Sequence, residues 1–316
     1  FLLIGCSGQE INKQDAENEG TKKVGILQLV EHPALDAARE GFLEGLKAAG
    51  WEEGKNLEIE YQNAQNDQSN LQTMSKKLVA DQLDLILAIA TPAAIAVANE
   101  TQDIPILITA VTDPVTANLV KSMEKPETNI TGTIDMNPIE QQLEFALEVL
   151  PELKNLGVIY NAGEINSQVQ VDILKEKAKA LGIENIVEAT ITYSSEVMQG
   201  AQSLIGRVDA IYIPTDNTVM SAYGAVVQVA EENKVPLFMG EASALKIGGI
   251  GTVGIDYFNL GKQTAEMAVK VLAGNSPQDM PVEEQKDPKL IINKAGAERI
   301  GVTIPDTLLN KAAEVL

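Results

Sequence analysis

The sequence predicts an α/β protein built as two similar doubly wound parallel-sheet lobes joined by a three-strand hinge. From Lys22 onward, short β-branched runs alternate with amphipathic stretches, the pattern of βαβ units around parallel strands. The pattern then starts again at Leu156. Gly25 and Gly157 are 132 residues apart, as are the helix-ending Gly50 and Gly182, while the strand-opening Pro105 and Pro236 are 131 apart. Asp84 and Asp209, each just before a buried strand, are 125 apart. An offset held within a few residues over this length marks one fold used twice.

In order, residues 24–29 read as a strand, followed by a helix over 34–49 that Gly50 ends. Residues 57–62, 83–89 and 105–111 read as further strands, separated by helices at 70–80 and 93–99, and 131–135 as one more. The second copy gives a strand at 157–161, a helix at 167–181, and strands at 187–191, 210–214 and 236–240. Beyond it lie a strand at 252–256, a helix at 259–272 and a late strand at 289–293. If Asp135 and Asp256 mark passages between lobes and a third lies near 282–288, one lobe comprises residues 22–134 plus 257–283 and the other 135–256 plus 284–316. Ligands of open α/β sheets sit beyond the carboxyl ends of the strands, so two facing sheets place the site in the cleft.

Composition narrows the function classes. With 45% hydrophobic and 22% charged residues, the 316-residue chain has the balance of a folded soluble protein of about two domains. Its net charge of -21 and lack of any basic cluster beyond a Lys-Lys pair argue against nucleic-acid binding. One cysteine excludes an intrachain disulfide, and one histidine leaves zinc and haem ligand sets almost nothing to draw on. No cofactor and no metal is expected. The same scarcity of His and Cys, with no recognisable acid-base pair, argues against an enzyme. No run approaches the roughly 20 apolar residues of a membrane span. Gly249-Ile250-Gly251-Thr252-Val253-Gly254 fits a G-x-G-x-x-G spacing but leads into a strand, and Gly274 stands where an acid belongs, so it is dismissed as a dinucleotide site.

Phe1-Leu2-Leu3-Ile4-Gly5-Cys6 reads as the tail of a signal peptide's apolar region. Leu3-Ile4-Gly5-Cys6 resembles a bacterial lipobox, with Cys6 as the lipidated residue, and the polar segment 7–21 reads as a disordered tether. Two acyl chains, at about 0.8 kcal/mol per buried CH₂, would hold the protein on the outer face of the cell membrane.

Several motifs together resemble a known group: Val24-Gly25-Ile26-Leu27-Gln28 with Glu31-His32-Pro33, Ala90-Thr91-Pro92-Ala93-Ala94, Val111-Thr112-Asp113-Pro114-Val115, Ile213-Pro214-Thr215-Asp216-Asn217, Gly254-Ile255-Asp256-Tyr257 and Gly301-Val302-Thr303-Ile304-Pro305. Their order and spacing resemble the solute-binding lipoproteins of ABC importers, in the branch that includes tryptophan and tyrosine binders. The resemblance implies a periplasmic-binding-protein type I fold, a monomer that takes a small amino-acid ligand, and delivery to an ABC permease. A surface interaction or adhesion role is the alternative.

An amino acid presents a carboxylate, an ammonium and a side chain, and unpaired buried charge is costly. Thr91, at an N-cap position with Pro92 and Ala93 in the first turn, offers a hydroxyl and helix-start amides for the carboxylate. The other reading of this segment is a plain helix cap. Thr112 and Asp113 follow the next strand, although Asp113-Pro114 also suits a turn. In the second lobe Asn166 and Ser167, the latter capping a helix, are further carboxylate clamps. Asp216 and Glu241, each ending a buried strand, are the ammonium partners, with N-capping the other role for Asp216. Asp256 either binds ligand or bonds the hinge. His32 faces the predicted cleft, where it would hydrogen-bond a phenol or carboxylate, and Tyr257 and Phe258 beside the crossover offer flat apolar faces. Trp51 is expected to be structural.

Overall fold

The fold is taken from a computed structural model that describes residues 20–285 and 287–316. Cys6 and residues 7–19 of the expected tether lie outside the described residues. The first repeat runs β1 (Lys22–Gln28), α1 (Pro33–Ala48), β2 (Leu57–Asn63), α2 (Gln68–Ala80), β3 (Leu85–Ile89), α3 (Thr91–Ala98), β4 (Ile106–Val111) and β5 (Ile130–Ile134). The second runs α4 (Ile139–Val149), β6 (Asn155–Asn161), α5 (Ile165–Ala180), β7 (Asn185–Ile191), α6 (Val197–Leu204), β8 (Ala210–Ile213), α7 (Asn217–Ser221), α8 (Tyr223–Glu232), β9 (Leu237–Met239) and β10 (Gly251–Gly254). The remainder is α9 (Tyr257–Leu272), β11 (Glu283–Glu284), β12 (Lys289–Ile292), α10 (Lys294–Ile300), α11 (Asp306–Lys311) and β13 (Glu314–Val315).

The two sheets have the same winding. Their strand orders are β2-β1-β3-β4-β5-β11 and β7-β6-β8-β9-β10-β12-β13. All pairings are parallel except β10 with β12, where the late strand enters the second sheet antiparallel. The duplication extends to side-chain chemistry. Asp84 accepts the Lys23 amide at the start of β1, and Asp209 accepts the Lys154 and Asn155 amides at the start of β6. Gly50 and Gly182 both take positive φ, +95° and +86°, just past α1 and α5. That conformation lets the next amide, of Trp51 or Ile183, turn back to a carbonyl five residues earlier and seats an apolar side chain under the helix end. Trp51 is thereby buried in the first lobe's core.

The chain passes between sheets after β5, after β10 and between β11 and β12. The sequence places the strand before the second passage at 252–256, but β10 stops at Gly254 and Asp256 already caps α9. Helix α9 returns to the first lobe and lies against α1. Gly41 and Gly261 allow this approach: a Cβ at either would come within 1.9 Å of a backbone oxygen of the facing segment, Phe258 O or Ala38 O. One apolar core fills the first lobe, and two clusters cover the second sheet. At the hinge, buried Asp135 accepts hydrogen bonds from the Thr112 hydroxyl (3.0 Å) and the Tyr257 hydroxyl (2.7 Å). Gln285 ties the other two passages together by bonding both the amide and the carbonyl of Asp256.

Candidate functional site

Parallel winding sends the carboxyl ends of β1, β3 and β4 toward those of β6, β8 and β9. The lobes meet there. His32, just past β1, lies with its Nε2 3.4 Å from Asn217 Oδ1 after β8, and the Asn66 side-chain amide donates to the Thr218 hydroxyl at 3.0 Å. Tyr257, past the second passage, donates to Asp135 at the first. The cleft is therefore closed.

The lobe-two wall is organised by two carboxylates. Glu164 precedes α5 but does not cap it. Its oxygens instead accept the backbone and side-chain N–H of Asn217 and the backbone N–H and hydroxyl of Thr218, at 2.6 to 3.3 Å. Asp216 accepts the Val219 amide on one oxygen, capping α7, and the Asn161 amide and Ser167 hydroxyl on the other. Burial, reinforced by the charge of Glu164, pushes the Asp216 carboxyl up to about 7.

Glu241, two residues past β9, is also fully buried, but it is only half satisfied. Oε1 accepts the Ser243 hydroxyl at 2.6 Å and Oε2 has no partner. Burial raises its carboxyl to about 7, with the charge of Asp135 adding to the effect and the Ser243 bond opposing it. Gly240 permits the tight packing here, because a Cβ would sit 2.9 Å from the Asn137 side chain and 3.0 Å from the Thr215 amide. Asn137 donates to the Thr215 hydroxyl and to Gln170, and Asn166 donates to the Thr215 carbonyl.

Among the described residues, the buried side-chain atoms without a hydrogen-bond partner are His32 Nδ1, Thr91 Oγ1, Asn137 Oδ1, Asn166 Oδ1 and Glu241 Oε2. Four of the five belong to residues singled out from sequence. A buried polar group left unpaired costs about 1–3 kcal/mol, more when charged, so this concentration is a demand for a ligand. The buried polar residues include Asp135, Glu164, Asp216 and Glu241 but, among the described residues, no Lys or Arg. Such a wall is suited to a cation that brings N–H donors.

Several expected roles change. Thr91 is the first helical residue of α3, and the cap position belongs to Ala90, held at φ +81°. That backbone is strained for a residue with a Cβ, and it sits next to the unpaired Thr91 hydroxyl; Pro92 and Ala93 complete the turn. Ser167 lies within the first turn of α5 instead of capping it, and its hydroxyl is spent on Asp216. Asp113 makes a turn, accepting the Val115 and Thr116 amides and the Thr116 hydroxyl. Thr112 bonds Asp135 in the hinge. Asp256 is exposed, caps α9 through the Asn259 amide, and lines a groove of about 670 Å³ on the hinge side together with Phe258, Lys246 and Lys289. Sequence reasoning assigned no role to Asn137, Glu164, Asn217 or Thr218. The last three lie in or beside the strand-end segments already singled out, whereas Asn137 carries no signal beyond standing two residues after Asp135.

Two equivalent lobes closed over unpaired buried polar atoms define a ligand-binding protein of the periplasmic-binding-protein type I fold. Residues 23–316 match the family model described as ABC transporter substrate binding protein, and the chain belongs to that family. It is 45% identical over 298 residues to the tyrosine-binding protein of Clostridioides difficile, covering 93% of this chain and 86% of that one. A Streptococcus pneumoniae domain solved with L-Trp is 38% identical, with a TM-score of 0.91 over 94% of this chain and 100% of that one. A ligand-free, open substrate binding protein with adhesive properties from Clostridium difficile is 47% identical but superposes at only 0.71 over 94% of this chain and 99% of that one. The greater identity with the poorer superposition agrees with the closed cleft seen here.

Proposed function

We propose that this protein is the extracytoplasmic substrate-binding lipoprotein of an ABC importer, capturing tyrosine or tryptophan in the interlobe cleft by hinge closure. The observation that carries this reading is the buried, unpaired Oε2 of Glu241 in a wall with no buried Lys or Arg among the described residues, which suits an ammonium group. Asn137 Oδ1 and Asn166 Oδ1 add neutral acceptors to the same region. The ligand carboxylate is assigned to the Thr91 hydroxyl and the first-turn amides of α3, which have no intrahelical acceptor. The relatives' tyrosine and L-Trp ligands favour an aromatic amino acid. Bound ligand holds the lobes closed through contacts that exist only in that state. In a thermal-shift screen over the common amino acids, a true ligand at about 100 times its dissociation constant stabilises the fold by about 2.7 kcal/mol. A screen in which neither tyrosine nor tryptophan shifts the transition removes the proposal.

Cys6 supplies the anchor in this reading, and Ser at that position moves the protein out of the membrane fraction. Retention of Cys6→Ser with the membranes would contradict it. A second role, adhesion, is favoured by the 47% identical relative with adhesive properties. It requires the purified ligand-free domain to bind host-cell surfaces above the level of an unrelated acidic protein.

A further inference from the structure

The hydrogen-bond chain behind His32 determines which of its ring nitrogens carries the proton. The chain starts at Glu164, whose two oxygens face the backbone amides of Asn217 and Thr218, groups that can only donate. Glu164 is therefore an acceptor at both oxygens, and the Asn217 side chain must present its Nδ2 to it, at 2.6 Å. The other end of that amide, Oδ1, is thereby left to face His32 Nε2 at 3.4 Å. An amide oxygen can only accept, so His32 carries its proton on Nε2. Its Nδ1 is then a bare lone pair, buried and without a partner. The ring has no means of adding a second proton cheaply, since burial lowers its pKa to about 4 despite the Asn217 bond and the charge of Asp36.

On this basis, and resting on the amino-acid-binding reading above, we infer that His32 Nδ1 accepts a hydrogen bond from an O–H or N–H on the ligand's side chain, selecting aromatic amino acids that carry such a donor. The argument has two further steps. A neutral imidazole whose free nitrogen is a lone pair repels a carboxylate, which excludes the carboxylate partner that the sequence left open. The ammonium has better acceptors in the negative wall, where Glu241 Oε2, Asn137 Oδ1 and Asn166 Oδ1 are all unpaired. What remains for His32 is a donor on the side chain: the phenol of tyrosine or the indole N–H of tryptophan. Phenylalanine has the same aromatic body without a donor. A site built to receive a hydrogen bond rejects the analogue lacking it, because the buried acceptor stays unpaired.

The test is calorimetric titration of the full-length protein with L-tyrosine, L-tryptophan and L-phenylalanine, for the natural chain and for His32→Leu and His32→Gln. The natural chain is expected to bind tyrosine or tryptophan at least about 10-fold more tightly than phenylalanine, the fold-change of one unsatisfied buried acceptor. In His32→Leu that preference falls to within about 3-fold, mainly through lost affinity for the donor ligand. His32→Gln can present an amide oxygen and is expected to recover part of it. A readout independent of affinity is ¹⁵N NMR of the imidazole, which should report the Nε2–H tautomer in the ligand-bound, closed protein, where His32 faces Asn217. Equal affinity for all three ligands in the natural chain, or an equal loss for all three in His32→Leu, overturns the inference while leaving the binding function intact. An Nδ1–H or doubly protonated ring overturns it too. If no amino acid binds at all, the underlying functional reading fails instead.

Discussion

Replacing Glu241 with Gln lowers affinity for the amino-acid ligand on the order of 100-fold near neutral pH while making the empty protein more stable. Removing one partner of a buried charge pair costs about 2–5 kcal/mol, and the ammonium has no other buried, unpaired carboxylate oxygen to turn to among the described residues. The stability gain follows from linkage. The carboxyl of Glu241 is raised in the folded state from 4.5 to about 7, so the folded chain holds a proton there that the unfolded chain has lost. Its contribution is fully present below about 4.5 and disappears as pH rises through 7, a difference on the order of 3 kcal/mol. Denaturation of the natural chain and Glu241→Gln across pH 4 to 8 should show the curves close together at the acid end, diverging between about pH 4.5 and 7, and separated by the full difference above that. The natural chain's ligand affinity should also fall as pH drops below 7, and that of the Gln variant should not. A Gln variant that binds normally removes Glu241 from the site.

Asp216→Ala is expected to do the reverse: destabilise the fold by about 3 kcal/mol and change affinity by less than about 10-fold when measured where the variant is folded. The loss strands the Asn161 and Val219 amides and the Ser167 hydroxyl, all of which converge on this one carboxylate. Its carboxyl is also raised, from 3.8 to about 7, so the natural chain loses stability between about pH 4 and 7 through this group too, and the variant's profile is flatter there. Urea denaturation and calorimetry together decide the matter. Unchanged stability with abolished binding would return Asp216 to the role of ammonium partner.

The contrast between these two acids marks the limit of what the residues reveal on their own. Asp216 and Glu241 both end buried strands, and in sequence they look alike. They differ in the donors that folding brings to them: Asp216 is supplied by residues 49 and 55 positions away, whereas one oxygen of Glu241 receives nothing. The role of Glu164 is hidden in the sequence for a related reason. It stands at the N-cap position of α5, but its work is done on Asn217 and Thr218, 53 and 54 residues further on. His32, in contrast, was legible as a cleft residue, because a histidine directly after the first strand of a doubly wound sheet has to lie at the ligand end. Its acceptor character was not, since that depends on which way the Asn217 amide is turned.

The duplicated architecture, the helix-ending glycines, the strand-end location of the site and the acidity of the chain all follow from local patterns: periodicity, turn chemistry and charge, which act between near neighbours. The pairing of each buried polar group, the return of α9 onto α1 and the closed approach of the lobes were decided only in three dimensions. Hydrogen bonds in a dry interior are assigned among groups that meet through folding, and separation along the chain carries no information about which donor an isolated carboxylate will find.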